Sequence, residues 1–266
     1  MAYEYFAIER HGQTATLWLA RADKLNAMNP AFWNELPVVI RELDADPGVR
    51  AIVIAGKGKA FTVGLDIKAM SGALFGDQES RFALLDEISR LQRSITAVAD
   101  CPKPVIAAVH GWCLGGGIDL ITACDVRYAS KDAIFSIRET KIAIVADVGT
   151  LQRLPAIVGK GHVAELAYSG EDIGAERAAE IHLVNRVYPD ADTTLAAARD
   201  LAERIAENSP LAVQGTKRVL RYCEGKTVAD GLDYVAAWNA AFLKSDDLTE
   251  AMSAFMEKRK PKFTGK

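Results

Sequence analysis

Lys103-Pro104-Val105-Ile106-Ala107-Ala108-Val109-His110-Gly111-Trp112-Cys113-Leu114-Gly115-Gly116-Gly117-Ile118-Asp119 is the stretch on which the reading of this chain turns. Its apolar, partly β-branched first part has the character of a strand buried on both faces. The glycines that follow let a ligand approach the backbone closely, and Gly116 to Cys124 reads as a short helix. From Pro104 to Cys124 the hydropathy imitates a membrane span, but four glycines, His110 and Asp119 fit lipid poorly. The segment is therefore read as strand, turn and helix.

Outward from this run, elements alternate. Tyr5 to Arg10 and Gln13 to Ala20 read as paired strands around His11-Gly12. Asn29-Pro30 opens a helix, with Asn as cap and Pro at the first helical position. Val49 to Ala55 is a buried strand, Arg81 to Ala99 a helix, and Asp125 to Ala129 and Ala133 to Ile137 further strands. This is an α/β order. Beyond residue 195 the pattern turns helical, with Asp192 read as a cap, Ser209-Pro210 as a start, and helices over Thr227 to Leu243 and Asp247 to Lys258. Residues 1–195 are thus expected to form the core and residues 196–266 a helical appendage. Apolar residues on several sides of Tyr234 to Phe242 point to contact with a neighbouring subunit.

The 266 residues are 50% hydrophobic and 25% charged, with a net charge of −3, which suits one substantial core and exerts no general pull toward nucleic acid or anionic lipid. Neither a nucleic-acid partner nor a membrane is expected. The 4 cysteines and 4 histidines make no disulfide framework and no metal signature, so reduced thiols and no metal are expected. Met1 to Arg10 has no signal layout, and Phe263-Thr264-Gly265-Lys266 is not a peroxisomal address, which makes the cytoplasm the expected compartment.

Chemistry gathers around the glycines. Free N–H groups at a helix start, aided by the helix dipole, suit a carbonyl oxygen that gains charge. Phe61-Thr62-Val63-Gly64-Leu65-Asp66-Ile67-Lys68 has a similar character, with Gly64 freeing the Leu65 amide. Asp119, Glu139 and Asp147 stand among apolar neighbours, where carboxyl pKa values are open to tuning. Each has a plain alternative. Asp147 could cap the helix after Val148-Gly149, Asp119 could complement a helix dipole, and Glu139 could pair in solvent with Arg138 or Lys141.

As a set, these pieces resemble the crotonase (enoyl-CoA hydratase/isomerase) superfamily. The carriers are Lys24-Leu25-Asn26-Ala27-Met28, Phe61 through Lys68, Lys103 through Gly117, Gly149-Thr150-Leu151-Gln152-Arg153-Leu154-Pro155 and Phe255-Met256-Glu257-Lys258-Arg259. The resemblance implies a crotonase-like spiral of ββα units, a C-terminal helical trimerisation region and a homotrimer or homohexamer. It implies an acyl-CoA thioester substrate, with no cofactor, whose carbonyl oxygen is held in an oxyanion hole by the amides of Leu65 and Gly116. CoA would be gripped by Lys24, Leu25, Asp66, Ile67 and Lys68, with Lys258 supplied by a neighbour. Within the superfamily, Gly117-Ile118-Asp119-Leu120 and Ala146-Asp147-Val148-Gly149-Thr150 are similar to the Δ3,5-Δ2,4-dienoyl-CoA isomerases. Hydratases carry Glu where this chain has Asp119 and usually Gly where it has Asp147.

That likeness implies isomerisation of a 3,5-dienoyl-CoA to a 2,4-dienoyl-CoA, in beta-oxidation of unsaturated fatty acids. A proton leaves C2, a dienolate forms, and a proton arrives at C6. Two separated acids divide such work better than one. The expected division gives C2 to Asp147 and C6 to Glu139, with Asp119 orienting or tuning them. A 2-enoyl-CoA hydratase using Asp119 and Glu139 is the alternative.

Overall fold

A computed structural model of the chain describes residues 3–75 and 81–266. β1 (Phe6–His11) and β2 (Thr14–Leu19) pair antiparallel around Gly12, which takes φ 53. After a 3-10 turn at Ala22–Lys24 comes α1 (Pro30–Ala45), capped as the sequence suggests by Asn29, whose side chain accepts from the Phe32 amide at 3.2 Å. β3 (Ala51–Gly56), α2 (Ile67–Phe75) and α3 (Arg81–Asp100) follow. The deciding run then gives β4 (Val105–Val109), β5 (Trp112–Leu114) and α4 (Gly116–Thr122).

β6 (Val126–Ser130), β7 (Ile134–Ser136) and a second 3-10 turn at Glu139–Ile142 lead to α5 (Thr150–Val158) and α6 (Lys160–Ser169). β8 (Ile173–Gly174), α7 (Ala175–Glu180), β9 (Arg186–Tyr188) and α8 (Ala191–Ala206) complete the core. α9 (Pro210–Tyr222), α10 (Val228–Phe242) and α11 (Asp246–Glu257) form the helical end.

One sheet has the order β1-β2-β3-β4-β6-β9 and is parallel from β2 onward; a smaller one has the order β5-β7-β8. Each of β4 and β6 is therefore followed by a short strand in the smaller sheet and then a helix. An isolated bridge from Thr62 to Cys113 lets the chain after β3 do likewise before α2. These are the turns of a ββα spiral, and they bring the start of α2, the start of α4 and the loop before α5 to one end of the molecule.

Hydrophobic burial on both faces of the large sheet supplies most of the stabilisation. One face carries Phe32, Leu36 and Leu43 of α1 against Ile52 and Ile54. The other carries Ala198 and Ala202 of α8 against Val53, Ile106 and Tyr128. The boundary expected at residue 195 thus falls inside α8, a helix whose small residues let it lie close on the sheet. The true cap of α8 is Asp190, which accepts from the Thr193 amide, not Asp192. α11 is capped by Ser245, leaving Asp247 to accept from Ser209 Oγ and the Thr264 amide, both at 2.7 Å.

Two buried lysines tie layers together. Lys103 Nζ donates to the carbonyls of Leu43 at 2.8 Å and Asp46 at 2.7 Å, neutralising the C-terminal end of α1. Lys217 Nζ, from α9, donates to the Lys103 carbonyl at 3.0 Å and to Asp125 Oδ2 at 2.7 Å. Cys101, Cys113 and Cys124 are buried and Cys223 is exposed. Burial raises the first of these thiols to about 11 and Cys113 well above its usual value. Among the described residues no helix is long and apolar enough to cross a membrane.

Replacing Lys217 with Met leaves a carboxylate and a carbonyl without their cation. We expect the unfolding free energy to fall by about 2 kcal/mol, a discounted value because Asp125 is partly exposed. Urea titration checks this, and unchanged stability would mean that Lys217 serves only as packing.

Candidate active site

The two glycine-containing turns meet at the spiral's end. Thr62 N donates to the Trp112 carbonyl at 2.9 Å and Leu114 N to the Thr62 carbonyl at 3.1 Å, so the segments run side by side. Gly64 takes φ 81, and a Cβ there would stand 2.6 Å from the Leu114 carbonyl and 3.3 Å from the Gly116 amide. Only glycine fits that approach. Met28 N donates to Gly64 O and Asp66 N to Met28 O, which fixes the loop on its other side. Among the described residues, neither the Leu65 nor the Gly116 amide is committed to a hydrogen bond. Both residues line one cavity of about 490 Å³.

Asp119, Glu139 and Asp147 line that same cavity, whose walls are otherwise largely apolar: Trp33, Leu91, Ile142, Ile144 and Val148. Each acid arrives on a different element. α4 carries Asp119 on its first turn, the second 3-10 turn begins at Glu139, and Asp147 sits in the loop before α5. Asp119 is 0% exposed. Its Oδ1 accepts from the Thr150 amide at 2.6 Å and the Thr150 hydroxyl at 2.7 Å. Among the described residues, its Oδ2 and the Oε2 of Glu139 are buried without a partner.

These surroundings oppose ionisation. Burial pushes Glu139 up to about 7, and the charge of Asp119 adds to the rise. Burial likewise brings Asp119 to about 6, against the pull of the two Thr150 hydrogen bonds. Asp147 is raised by burial as well.

Two of the three plain alternatives, those for Asp147 and Glu139, do not describe what is found. α5 has Gly149 as its cap residue, with no side-chain capping bond from Asp147. Arg138 turns to Asp172, gripping it at 2.6 Å and 2.8 Å, and lies over the Trp112 ring; among the described residues Glu139 has no ion pair. Asp119 does serve a helix start, but that of α5 rather than only its own.

The residues expected to hold CoA divide. Leu25 and Ile67 line the cavity mouth, and both are exposed. Lys24 and Lys68 are exposed close by in sequence. Asp66 is committed within the chain: Oδ2 meets Arg21 Nη1 at 2.6 Å, Oδ1 accepts from Ala69 N at 3.0 Å, and these bonds hold its carboxyl below the usual range. It fastens the loop, and its negative charge is already matched. Lys258 takes φ 55 at the end of α11, is exposed, and does not line the cavity of its own chain.

Thr150, Arg21, Trp33 and Leu91 were not singled out by sequence reading. Thr150 stands 31 positions from the carboxylate it binds, and only the packing of α5 on α4 joins them.

With this geometry, comparison with known proteins identifies the class. Residues 9–266 match the enoyl-CoA hydratase/isomerase family, and the chain belongs to it. The fold is the crotonase fold: the solved enoyl-CoA hydratase of Bacillus anthracis superposes with a TM-score of 0.91 at 29% identity, covering 99% of this chain and 100% of that one. Among curated relatives, the mitochondrial Delta(3,5)-Delta(2,4)-dienoyl-CoA isomerase of Dictyostelium discoideum is 46% identical over 268 residues, 98% of this chain and 92% of its own length. The peroxisomal enzyme of that name from Arabidopsis thaliana is 46% identical over 253 residues, 93% and 91% of the two chains. These two relatives differ in compartment, so compartment does not travel with the likeness.

Two outcomes follow from the geometry. Gly64→Ala drives a methyl into the Leu114 carbonyl and displaces the Leu65 amide; turnover of an unsaturated acyl-CoA should fall by about a hundredfold while thermal stability and CoA-ester affinity change far less. Equal turnover would dissociate the amide pair from the chemistry.

The second concerns stability. Glu139 ordinarily titrates near 4.5 and is raised to about 7 in the folded chain, so the folded state holds its proton longer than the unfolded one. Stability is therefore lost as pH rises from the unfolded value to the folded value, and stays reduced above it. Glu139→Gln should accordingly gain over the parent by about 2 kcal/mol between pH 4 and pH 8. Denaturant titrations at the two pH values test this; a pH-independent difference would place the carboxyl in solvent.

Proposed function

We propose that the chain is an isomerase that converts a 3,5-dienoyl-CoA to a 2,4-dienoyl-CoA. The observation that carries this reading is the presence of Asp147 and Glu139 on the wall of one apolar cavity with two uncommitted amides, Leu65 and Gly116. The named relatives from Dictyostelium and Arabidopsis support it at 46% identity.

The thioester carbonyl docks on the amides of Leu65 and Gly116. Asp147, less buried than Asp119, takes the proton from C2 on its carboxylate. The electron pair spreads through the conjugated chain onto the thioester oxygen, where each amide stabilises it by about 3 kcal/mol. Glu139, still partly protonated near pH 7, gives its proton to C6. The double bonds move from 3,5 to 2,4 with no net gain or loss of atoms. After product leaves, water returns the proton from Asp147 to Glu139.

Asp119 completes the arrangement as a fixed negative neighbour of Glu139. Hydration would instead require Asp119 and Glu139 to share one water, whereas Oδ1 of Asp119 is bound twice by Thr150 and its Oδ2 is buried out of reach of solvent. That observation ranks isomerisation above hydration.

Assembly belongs to the same proposal. Val228 and Leu232 of α10 and Phe255 and Met256 of α11 are exposed, the last two at 80%. Association into a homotrimer or homohexamer covers such faces and brings Lys258 to a neighbour's CoA.

Asp147→Asn should lower conversion of a 3,5-dienoyl-CoA by about a thousandfold, Glu139→Gln as severely, and Asp119→Asn less. The assay follows 2,4-dienoyl absorbance, with a 2-enoyl-CoA run in parallel on the parent enzyme. Rapid hydration without isomerisation would reverse the assignment.

A further inference from the structure

Thr150 has no counterpart in the proton path just described, yet it makes the only two hydrogen bonds to the most buried carboxylate of the site among the described residues. Its amide belongs to the first residue of α5, where an uncommitted N–H and the positive end of the helix dipole both favour an anion. Its hydroxyl adds a second donor to the same oxygen. Oδ1 of Asp119 is thereby engaged twice, and Oδ2 is left buried without a partner among the described residues.

We propose that Thr150 is a positioning residue: through amide and hydroxyl it fixes the Asp119 carboxyl and holds it in its ionised form, so that the proton resides on Glu139. The inference rests on the isomerase reading for its consequence, but the linkage itself is a property of the folded chain.

Among the described residues, the charged and titratable groups around Asp119 are few. Asp147 comes from the preceding loop, Glu139 from the 3-10 turn, Arg153 from α5 and Cys113 from β5. Arg153 is the one cation among them, and its own bonds go to Thr96 Oγ1 at 2.9 Å and the Val148 carbonyl at 3.4 Å rather than to a carboxylate. Its charge supports the anion from a distance, while Thr150 supplies contact.

The chemistry requires such a bias. Three acids crowded into an apolar cavity share too little solvent for all to ionise, so protons distribute among them by small differences in hydrogen bonding. If Asp119 held the proton, Glu139 would face a neutral neighbour, ionise more readily and lose its capacity to deliver to C6. A hydrogen bond to a charged group suffices to reverse such an order.

Thr150→Val removes the hydroxyl at constant shape, Thr150→Ala does so with less bulk should Val disturb folding, and Thr150→Ser keeps it. Without the hydroxyl, the alkaline limb of kcat for a 3,5-dienoyl-CoA should move down by about one pH unit, kcat at the optimum should fall about tenfold, and KM should change less than about twofold. Thr150→Ser should restore the parent profile. In the Asp119→Asn background, Thr150→Val should cause no further shift.

A readout free of turnover accompanies these. The infrared band of the protonated Glu139 carboxyl, assigned by its loss in Glu139→Gln, should titrate at lower pH in Thr150→Val and Thr150→Ala than in the parent. An unmoved band and superimposable pH profiles would overturn the proposal, as would Thr150→Ser behaving like Thr150→Val. If no variant or parent isomerises the diene, the reaction assignment fails, and the infrared titration still decides the linkage.

Discussion

The site depends on how closely two backbone segments approach. Thr62 to Gly64 lies against Trp112 to Gly116 through reciprocal amide–carbonyl bonds, and Gly64 has no room for a side chain. Parallel pairing of β3 with β4 sends both segments to the same end of the sheet. The cavity, the uncommitted amides and the position of α4 all follow from that pairing. Asn26 reinforces it from outside, donating to the carbonyls of Lys57 and Ala60, both at 2.9 Å. The loop that presents Leu65 is consequently a rigid part of the scaffold.

Against that rigid frame stands a deliberately unfavourable cluster. Buried oxygens without partners on Asp119 and Glu139 lower stability in the unliganded fold, and the apolar walls that raise their proton affinity offer no relief. Such groups persist where a ligand or a proton uses them. Three buried cations elsewhere in the fold are satisfied by contrast. Lys103, Lys217 and Arg127 each donate to main-chain carbonyls, so these buried cations help join layers of the fold. Bonding pattern thus separates structural charge from chemical charge.

How much was legible in the sequence depended on the range of the interaction. β4, the glycine turn and α4 could be read from a single run, because strand burial and glycine conformations are local. The cap at Asn29 and the start at Ser209-Pro210 were local as well. The shift of cap from Asp192 to Asp190 came from two nearby acids with similar capping ability. Convergence of Asp119, Glu139 and Asp147 was anticipated only through family likeness, since no spacing rule brings three different elements to one wall. Asp66 shows the opposite failure: a charged residue in a functional loop looked available, but Arg21, 45 positions away, occupies it. The boundary near residue 195 followed composition, whereas α8 follows packing, its alanines fitting the sheet.

The distribution of sulfur has a practical corollary. Three of the 4 cysteines lie in the interior with their thiols held in the unreactive form, while Cys223 at the end of α9 faces outward. A maleimide fluorophore would therefore attach at a single known point, beside the aromatic stack of Tyr222 and Tyr234 and remote in sequence from the carboxylates. The unaltered chain already carries a handle for watching its helical end by energy transfer or quenching.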